Sequence, residues 1–374
     1  MSSTTVTPTV NRPQANAYAA GKLPKNSSLY VLLASWLVTG AVFLVLQLSG
    51  ATSGFNIVGT IFFGTVLYCV AIYALSYAVE GVRRAKDRLV TALVTTAFVV
   101  ALLPLISLVF TTVVNGLPGI LTPTSFTESQ RNVVGAGGGA LHAIIGTLLI
   151  TGVATLISVP IGLLAAIYLT EYGRGRLARA ITFFVDVMTG IPSIVAGLFA
   201  FALFFLVAGP GARSGVVGAV ALSVLMTPVV IRSSEEMLRL VPNELREASY
   251  ALGVAKWLTI VKVVLRTAVA GLTTGVMISI ARVIGETAPL IITVGASDSI
   301  NSNVFSGNMM TLPVYVYRQF AAGLVPCTPG DTACISTINY DRSWSAALTL
   351  ILFVMLLNLV ARGVSRWFAP KTRA

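Results

Sequence analysis

The sequence predicts an all-α polytopic membrane protein with about eight transmembrane helices, and three observations carry that prediction. Of its 374 residues, 56% are hydrophobic and only 10% charged, with a mean hydropathy of +0.88; soluble domains carry about 25% charged residues. Several stretches are uncharged over more than the ~20 apolar residues that cross a ~30 Å hydrocarbon core. The basic residues, finally, are sorted by loop.

The spans follow in order. Residues 26–79 contain no Asp, Glu, Lys, Arg or His, which leaves room for helices near 28–49 and 57–79. The uncharged run 89–127 gives a third near 89–114, and 132–170, with His142 as its sole ionisable residue, gives the fourth. Helices over 181–209, 214–232, 267–297 and 343–365 complete the set. With the N-terminus inside, 20 Lys and Arg fall in 1–25, 80–88, 171–180, 232–266 and 362–374, against four outside (Arg131, Arg213, Arg318, Arg342) and Arg282 within a span. That bias is the positive-inside pattern, so the net charge of +12 reports topology and not a nucleic-acid partner.

The connections have distinct characters. Residues 1–25 are polar, and the apolar run after them is too long for a cleaved signal, so a disordered cytoplasmic tail is expected. The stretch EGVRRAKDR after the second span reads as a solvated basic loop, and 115–140 as an outer loop whose Gly135–Gly139 run is a flexible lead-in to the fourth span. Glycine runs cradle phosphate only between a strand and a helix, a context missing here. Cys69 lies in the second span. Cys327 and Cys334 share the last outer loop, seven residues apart in an oxidising space, where a bridge between them is one of two open outcomes.

Three places carry chemistry. In the fifth span Asp186 precedes Thr189-Gly190-Ile191-Pro192-Ser193; it is either a cavity residue or a structural partner of a neighbouring helix. Residues 239–266 form a polar insert read as two short helices. Pro242 opens the first; Leu245, Ala248 and Leu252 form its apolar stripe, with Glu244, Arg246 and Glu247 off it; Gly253 stops it. The second begins near 255 with Trp257, Ile260, Val261 and Val264 on its apolar face. Such an elbow either seats in a cleft on a soluble partner or rests on the membrane surface. In the seventh span, Arg282 and Glu286 lie four residues apart and are expected on one helix face. An arginine at a spanning-helix centre costs about 2.5–3.5 kcal/mol on insertion scales, so it faces a cavity or a partner. The pair is therefore either an anion pathway or an ion pair that packs two helices. His142 reads as an interfacial residue, and Arg232, Glu235 and Glu236 as solvated boundary charges.

Glu247-Ala248-Ser249-x-x-x-Gly253 resembles the EAA loop of ABC-importer permeases, with Ser249 for the second Ala and Val263-x-Leu265-Arg266 where Ile-x-Leu-Pro would stand. Arg282-Val-Ile-Gly285-Glu286-Thr287-Ala288-Pro289-Leu290, Ile191-Pro192-Ser193-Ile194-Val195-x-Gly197-Leu198 and Ala166-Ile167-Tyr168-Leu169-x-Glu171-Tyr172 resemble stretches of phosphate permeases of the PstA type. The resemblance covers roughly 135–365. It implies a six-helix type I ABC permease core preceded by the two-helix hairpin. The domains are then a tail (1–25), the hairpin (26–88), the permease domain (89–366, elbow 239–266) and a basic tail (367–374).

The same resemblance implies a multi-pass protein of the bacterial inner membrane with both termini cytoplasmic. It also implies a homologous PstC-like permease, two PstB-like ATPase subunits, a PstS-like binding protein and inorganic phosphate as cargo. The chain has no G-x-x-x-x-G-K-[S/T] loop, so ATP and Mg2+ are expected at the partner ATPase, with no cofactor, metal or catalytic residue here. Arg282, Glu286, Thr287 and Asp186 are the expected pathway residues. Glu247, Ala248, Ser249, Gly253 and Trp257 are the expected coupling residues. A permease for sulfate or molybdate, an ion-coupled carrier using Asp186, Arg282 and Glu286, and a non-transporting scaffold are the alternatives.

Overall fold

The computed structural model describes residues 23–24, 26–50, 54–133, 135–328 and 334–368, with side chains through 363. Most of both expected tails lies outside these residues. The helices are α1 (Ser27–Leu48), α2 (Ile57–Glu80), α3 (Val82–Ile120), α4 (Thr124–Thr127), α5 (Leu141–Ile167), α6 (Arg176–Thr189), α7 (Ser193–Ala208), α8 (Gly215–Arg239), α9 (Asn243–Ala251), α10 (Lys256–Thr259), α11 (Leu265–Val283), α12 (Ala288–Thr293), α13 (Leu312–Ala322) and α14 (Ile338–Phe368). A π turn, Tyr168–Tyr172, closes α5, and another, Ile260–Val264, joins α10 to α11 without a break. Among the described residues seven helices are long and apolar enough to span a membrane, and the pair α6–α7 makes an eighth if taken as one span.

The chain divides into two compact units, Met1–Val109 and Phe110–Ala374, with α3 passing from one to the other. In the first unit the stretch read as a solvated loop is largely helix. Gly81 breaks α2 from α3, and Arg83 to Arg88 are the opening turns of α3. Glu80 is buried and accepts from Arg88 at 2.6 Å, from Ser76 Oγ at 2.8 Å and from the Leu23 amide at 3.0 Å. Burial of a carboxylate is tolerated where its lone pairs are filled in this way.

The second unit is built on α5 and α8, which run parallel in close contact. Small side chains (Ala143, Ala154, Ala219, Ser223) let the backbones approach, and Ser158 and Ser223 donate across the seam to the Ser223 and Ala154 carbonyls at 3.4 and 3.5 Å. Their core also takes in residues 309–315, which the sequence places in an outer loop. Met309, Met310, Leu312 and Tyr315 are all buried. The Leu312 amide donates to Thr147 Oγ1 at 2.8 Å, and a Cβ on Gly146 would collide with the Met310 carbonyl. Length misled the sequence reading here: 309–315 is apolar but too short to score as a span. His142 is likewise no interfacial residue. It is buried, with its ring edge-on to Tyr315 at 5.2 Å between centroids.

Two expected spans are broken. The fifth bends by 110° between α6 and α7. Pro192, with an extended backbone (φ −57°, ψ 136°) and no amide hydrogen, starts α7 on a new axis. The seventh begins earlier and ends earlier than expected: α10 and α11 form one spanning segment, Lys256–Val283, so the second elbow helix is the foot of that span and no separate element.

Candidate functional site

The segment with the strongest sequence signal is where the seventh span stops. Arg282 lies in the last turn of α11, where a cation is favoured by the helix dipole. Ile284 to Thr287 form a turn, with the Glu286 amide donating to the Val283 carbonyl at 3.1 Å, and α12 restarts at Ala288. Pro289, second in α12, has no amide hydrogen with which to continue α11 through this point. Arg282 and Glu286 are therefore not one turn apart on a helix, which corrects the expected shared face. Arg282 is exposed and Glu286 half-buried, and among the described residues neither forms an ion pair or side-chain hydrogen bond. Thr287 borders a 370 Å³ cavity with Pro313, Tyr317 and Trp344. The break is held from behind by α7: a Cβ on Gly197 would lie 2.6 Å from Pro289 Cα. Two sequence stretches singled out independently thus meet at one close backbone contact.

Among the described residues Asp186 makes no hydrogen bond or ion pair with that group. It pairs with Arg232 of α8, which also donates to Glu235 at 3.1 Å, and Arg239 donates to Glu235 at 3.0 Å. The contact with α8 fits a partner to a neighbouring helix, and a side chain 59% exposed fits a cavity residue as well. Glu235 is buried between two guanidinium groups, so the reading of Arg232 and Glu235 as solvated boundary charges is corrected.

The elbow is fixed by residues whose roles sequence reasoning missed. Arg246 donates to Glu171 at 2.8 Å and to the Leu238 and Val241 carbonyls at 3.0 and 2.6 Å, so one guanidinium ties α9 to the ends of α5 and α8. Lys256 donates to the Glu171 carbonyl and sits 4.6 Å from the centre of the Tyr172 ring. Within the elbow, Ser249 and Thr259 share a hydrogen bond of 2.8 Å in a buried setting, and Gly253 turns the chain at φ +74°. The outward surface carries both apolar and charged side chains: Leu245, Ala248, Leu252 and Trp257 are exposed, as are Glu244, Glu247 and Lys256. The expected face of the second helix splits, with Ile260 and Val264 buried and Trp257 and Val261 outside. The signal for the anchor was present in Glu171-Tyr172, but a contact across 75 residues leaves no local periodicity to detect.

At the opposite end of α5, Cys327 and Cys334 are joined in a disulfide with Cα atoms 5.7 Å apart. The glycine run is not a free lead-in. Arg342 of α14 donates to the Gly135 and Gly137 carbonyls, the latter at 2.7 Å, and Ala140 donates to the Ser125 carbonyl at 2.8 Å. Burial pushes the Tyr315 phenol up to about 12, so it stays protonated. No group of three or more His, Cys, Asp or Glu suited to a metal occurs among the described residues.

A family profile for the binding-protein-dependent transport system inner membrane component matches residues 158–374. The chain is 46% identical over 293 residues to phosphate transport system permease protein PstA 1 of Mycobacterium tuberculosis (strain CDC 1551 / Oshkosh), covering 78% of this chain and 92% of that protein. It is 41% identical over 281 residues to phosphate transport system permease protein PstA of Pasteurella multocida (strain Pm70), covering 75% and 94%. A solved bacterial alginate ABC transporter shares its fold, with a TM-score of 0.52 over 77% of this chain and 97% of that one at 13% identity.

Proposed function

The chain belongs to the PstA family of binding-protein-dependent inner-membrane permeases, and on that premise we propose that it forms half of an ATP-driven pathway carrying inorganic phosphate into the cytoplasm. The observation that carries the reading is Arg282, an exposed guanidinium with no partner among the described residues, at the end of a spanning helix interrupted at Gly285–Thr287. Its planar fork of donors suits phosphate oxygens, and exposed amides at a broken helix suit a polar path. Glu286, three residues past the helix end, supplies a negative charge that keeps anion binding weak enough for release. Thr287 adds a hydroxyl beside it.

The second half of the pathway is a homologous PstC-like permease, across from which Arg282 would face the cargo. Two PstB-like subunits bind and hydrolyse ATP with Mg2+, and one of them seats on the outward Leu245, Ala248, Leu252 and Trp257. The Glu171–Arg246 tie then passes its motion to α5 and α8. A PstS-like protein delivers phosphate on the other side. This orientation puts both termini and the elbow in the cytoplasm and the disulfide outside, in agreement with the basic-residue bias. Asp186, latched to Arg232, acts in this reading by holding the bent α6–α7 pair against α8.

The test is radiolabelled phosphate uptake, with excess sulfate as competitor, in cells lacking their own importer and carrying the full transporter. Sulfate-resistant uptake that disappears in an assembled Arg282→Gln complex supports the reading. Uptake of sulfate or molybdate instead moves the chain to another oxyanion, and uptake without the ATPase to an ion-coupled carrier.

A further inference from the structure

At the end of the second unit remote from the elbow lies a polar cavity of 210 Å³ that the pathway does not use. Gln130, Asp298, Tyr315, Arg318, Gln319 and Arg342 are among its lining residues. Gln130 is more than nine-tenths buried, yet neither its amide nitrogen nor its amide oxygen has a hydrogen-bond partner among the described residues. The Nε of Arg342 is also buried without a partner among the described residues, although its Nη2 is occupied by the Gly135 and Gly137 carbonyls. Arg318 is half-exposed at the rim, 3.8 Å from Asp298. A buried amide with both functions unmet costs about 1–3 kcal/mol per group, so such an arrangement points to a ligand that donates and accepts.

We propose that this cavity is an oxyanion-binding site specific for protonated inorganic phosphate, separate from Arg282 and placed where cargo arrives from outside. The inference rests on the importer reading above. Two guanidinium groups against one carboxylate leave the cavity with a net positive charge that draws an anion. Arg318, the Nε of Arg342 and the Gln130 amide nitrogen donate to phosphate oxygens. The Gln130 oxygen and Asp298 accept from the P–OH. Sulfate and phosphodiesters carry no such proton at neutral pH and leave those acceptors facing a bare oxygen. The cavity therefore discriminates by the proton, which also sets it against a lipid diester headgroup. It stands about 40 Å from the elbow along α5, at 1.5 Å per residue over 27 residues.

The experiment measures binding of radiolabelled phosphate to the purified transporter, without its binding protein, in an Arg282→Gln background that silences the pathway site. Saturable binding is expected, displaced by unlabelled phosphate but not by sulfate or dimethyl phosphate. Arg318→Gln, at an exposed rim position, is expected to weaken it about tenfold, and Gln130→Leu by a similar factor. Thermal stability of each variant identifies misfolding, and Arg318→Gln decides alone if Gln130→Leu does not assemble. Unchanged binding in Arg318→Gln, equal displacement by sulfate, or no saturable binding at all overturns the proposal. Failure of the underlying reading looks different: the unsubstituted transporter then takes up no phosphate in cells.

Discussion

The carboxylate of Glu171 holds the guanidinium of Arg246 at 2.8 Å across 75 residues of sequence, and both side chains are largely buried (6% and 14% exposed). The elbow is therefore a bracket pinned to the foot of α5, and force applied to its outer face is delivered to a core helix. Glu171→Gln leaves a buried guanidinium without its counter-charge, a change worth about 3–5 kcal/mol in a fully buried pair. The expected outcome is a complex that assembles poorly or hydrolyses ATP without moving phosphate. The ratio of uptake to hydrolysis checks it, and an unchanged ratio removes the bracket from the mechanism.

Arg282→Gln is expected to leave assembly and melting temperature unchanged, because the side chain is exposed and has no partner among the described residues. Phosphate uptake should fall at least ~10-fold, the scale of one lost charge-assisted interaction. Arg282→Lys should recover only part of it, since an ammonium cannot present a planar fork. A melting temperature that drops with uptake would make the residue structural.

Ser249→Ala removes a buried 2.8 Å hydrogen bond to Thr259 and should lower stability by about 1 kcal/mol. Thr259 retains a longer bond to the Ala255 carbonyl at 3.4 Å. That bond is long and weak, so once Ser249→Ala has removed the shorter one, adding Thr259→Val should cost less than Thr259→Val does alone. Denaturation of both single variants and the double measures the coupling, and additive losses would show that the two hydroxyls act independently.

Gly253→Val should destabilise the elbow through backbone conformation alone. Its φ is +74° while nothing lies within 4 Å of the Cβ position, so space is not the constraint. A β-branched residue strains that conformation and Asn tolerates it. Protease cutting between α9 and α10 should rise for Val well above Asn, and equal rates would contradict the conformational account.

Thiol labelling of the denatured, unreduced chain should find one reactive cysteine, Cys69, and three after reduction. Three before reduction would place Cys327 and Cys334 on a reducing side and invert the proposed topology.

Hydropathy located the spanning helices because lipid demands about 20 apolar residues in a row, and α1 and α2 fall within a residue of the expected limits. It failed where the chain obeys protein packing instead. The 309–315 segment is buried by α5 and α8 and not by lipid, so it never needed spanning length. The break after Val283 was signalled by Gly285 and Pro289, but an i,i+4 argument assumed a helix through them. Arg282, the Glu247–Gly253 stretch and the cysteine pair were visible as residues. The pairings of Arg246 with Glu171, Asp186 with Arg232 and Gly197 with Pro289 were not, since each contact joins elements far apart in the chain.

The slot at Gly146 and Thr147 also imposes an order on biosynthesis. The Leu312 amide that fills it is made 165 residues after Thr147, a delay of roughly ten to thirty seconds at ordinary translation rates. Throughout that interval the unfinished chain exposes an open seam with a vacant hydroxyl acceptor inside the bilayer. Premature closure by another strand of chain, or by a neighbouring nascent subunit, is the characteristic error this architecture invites.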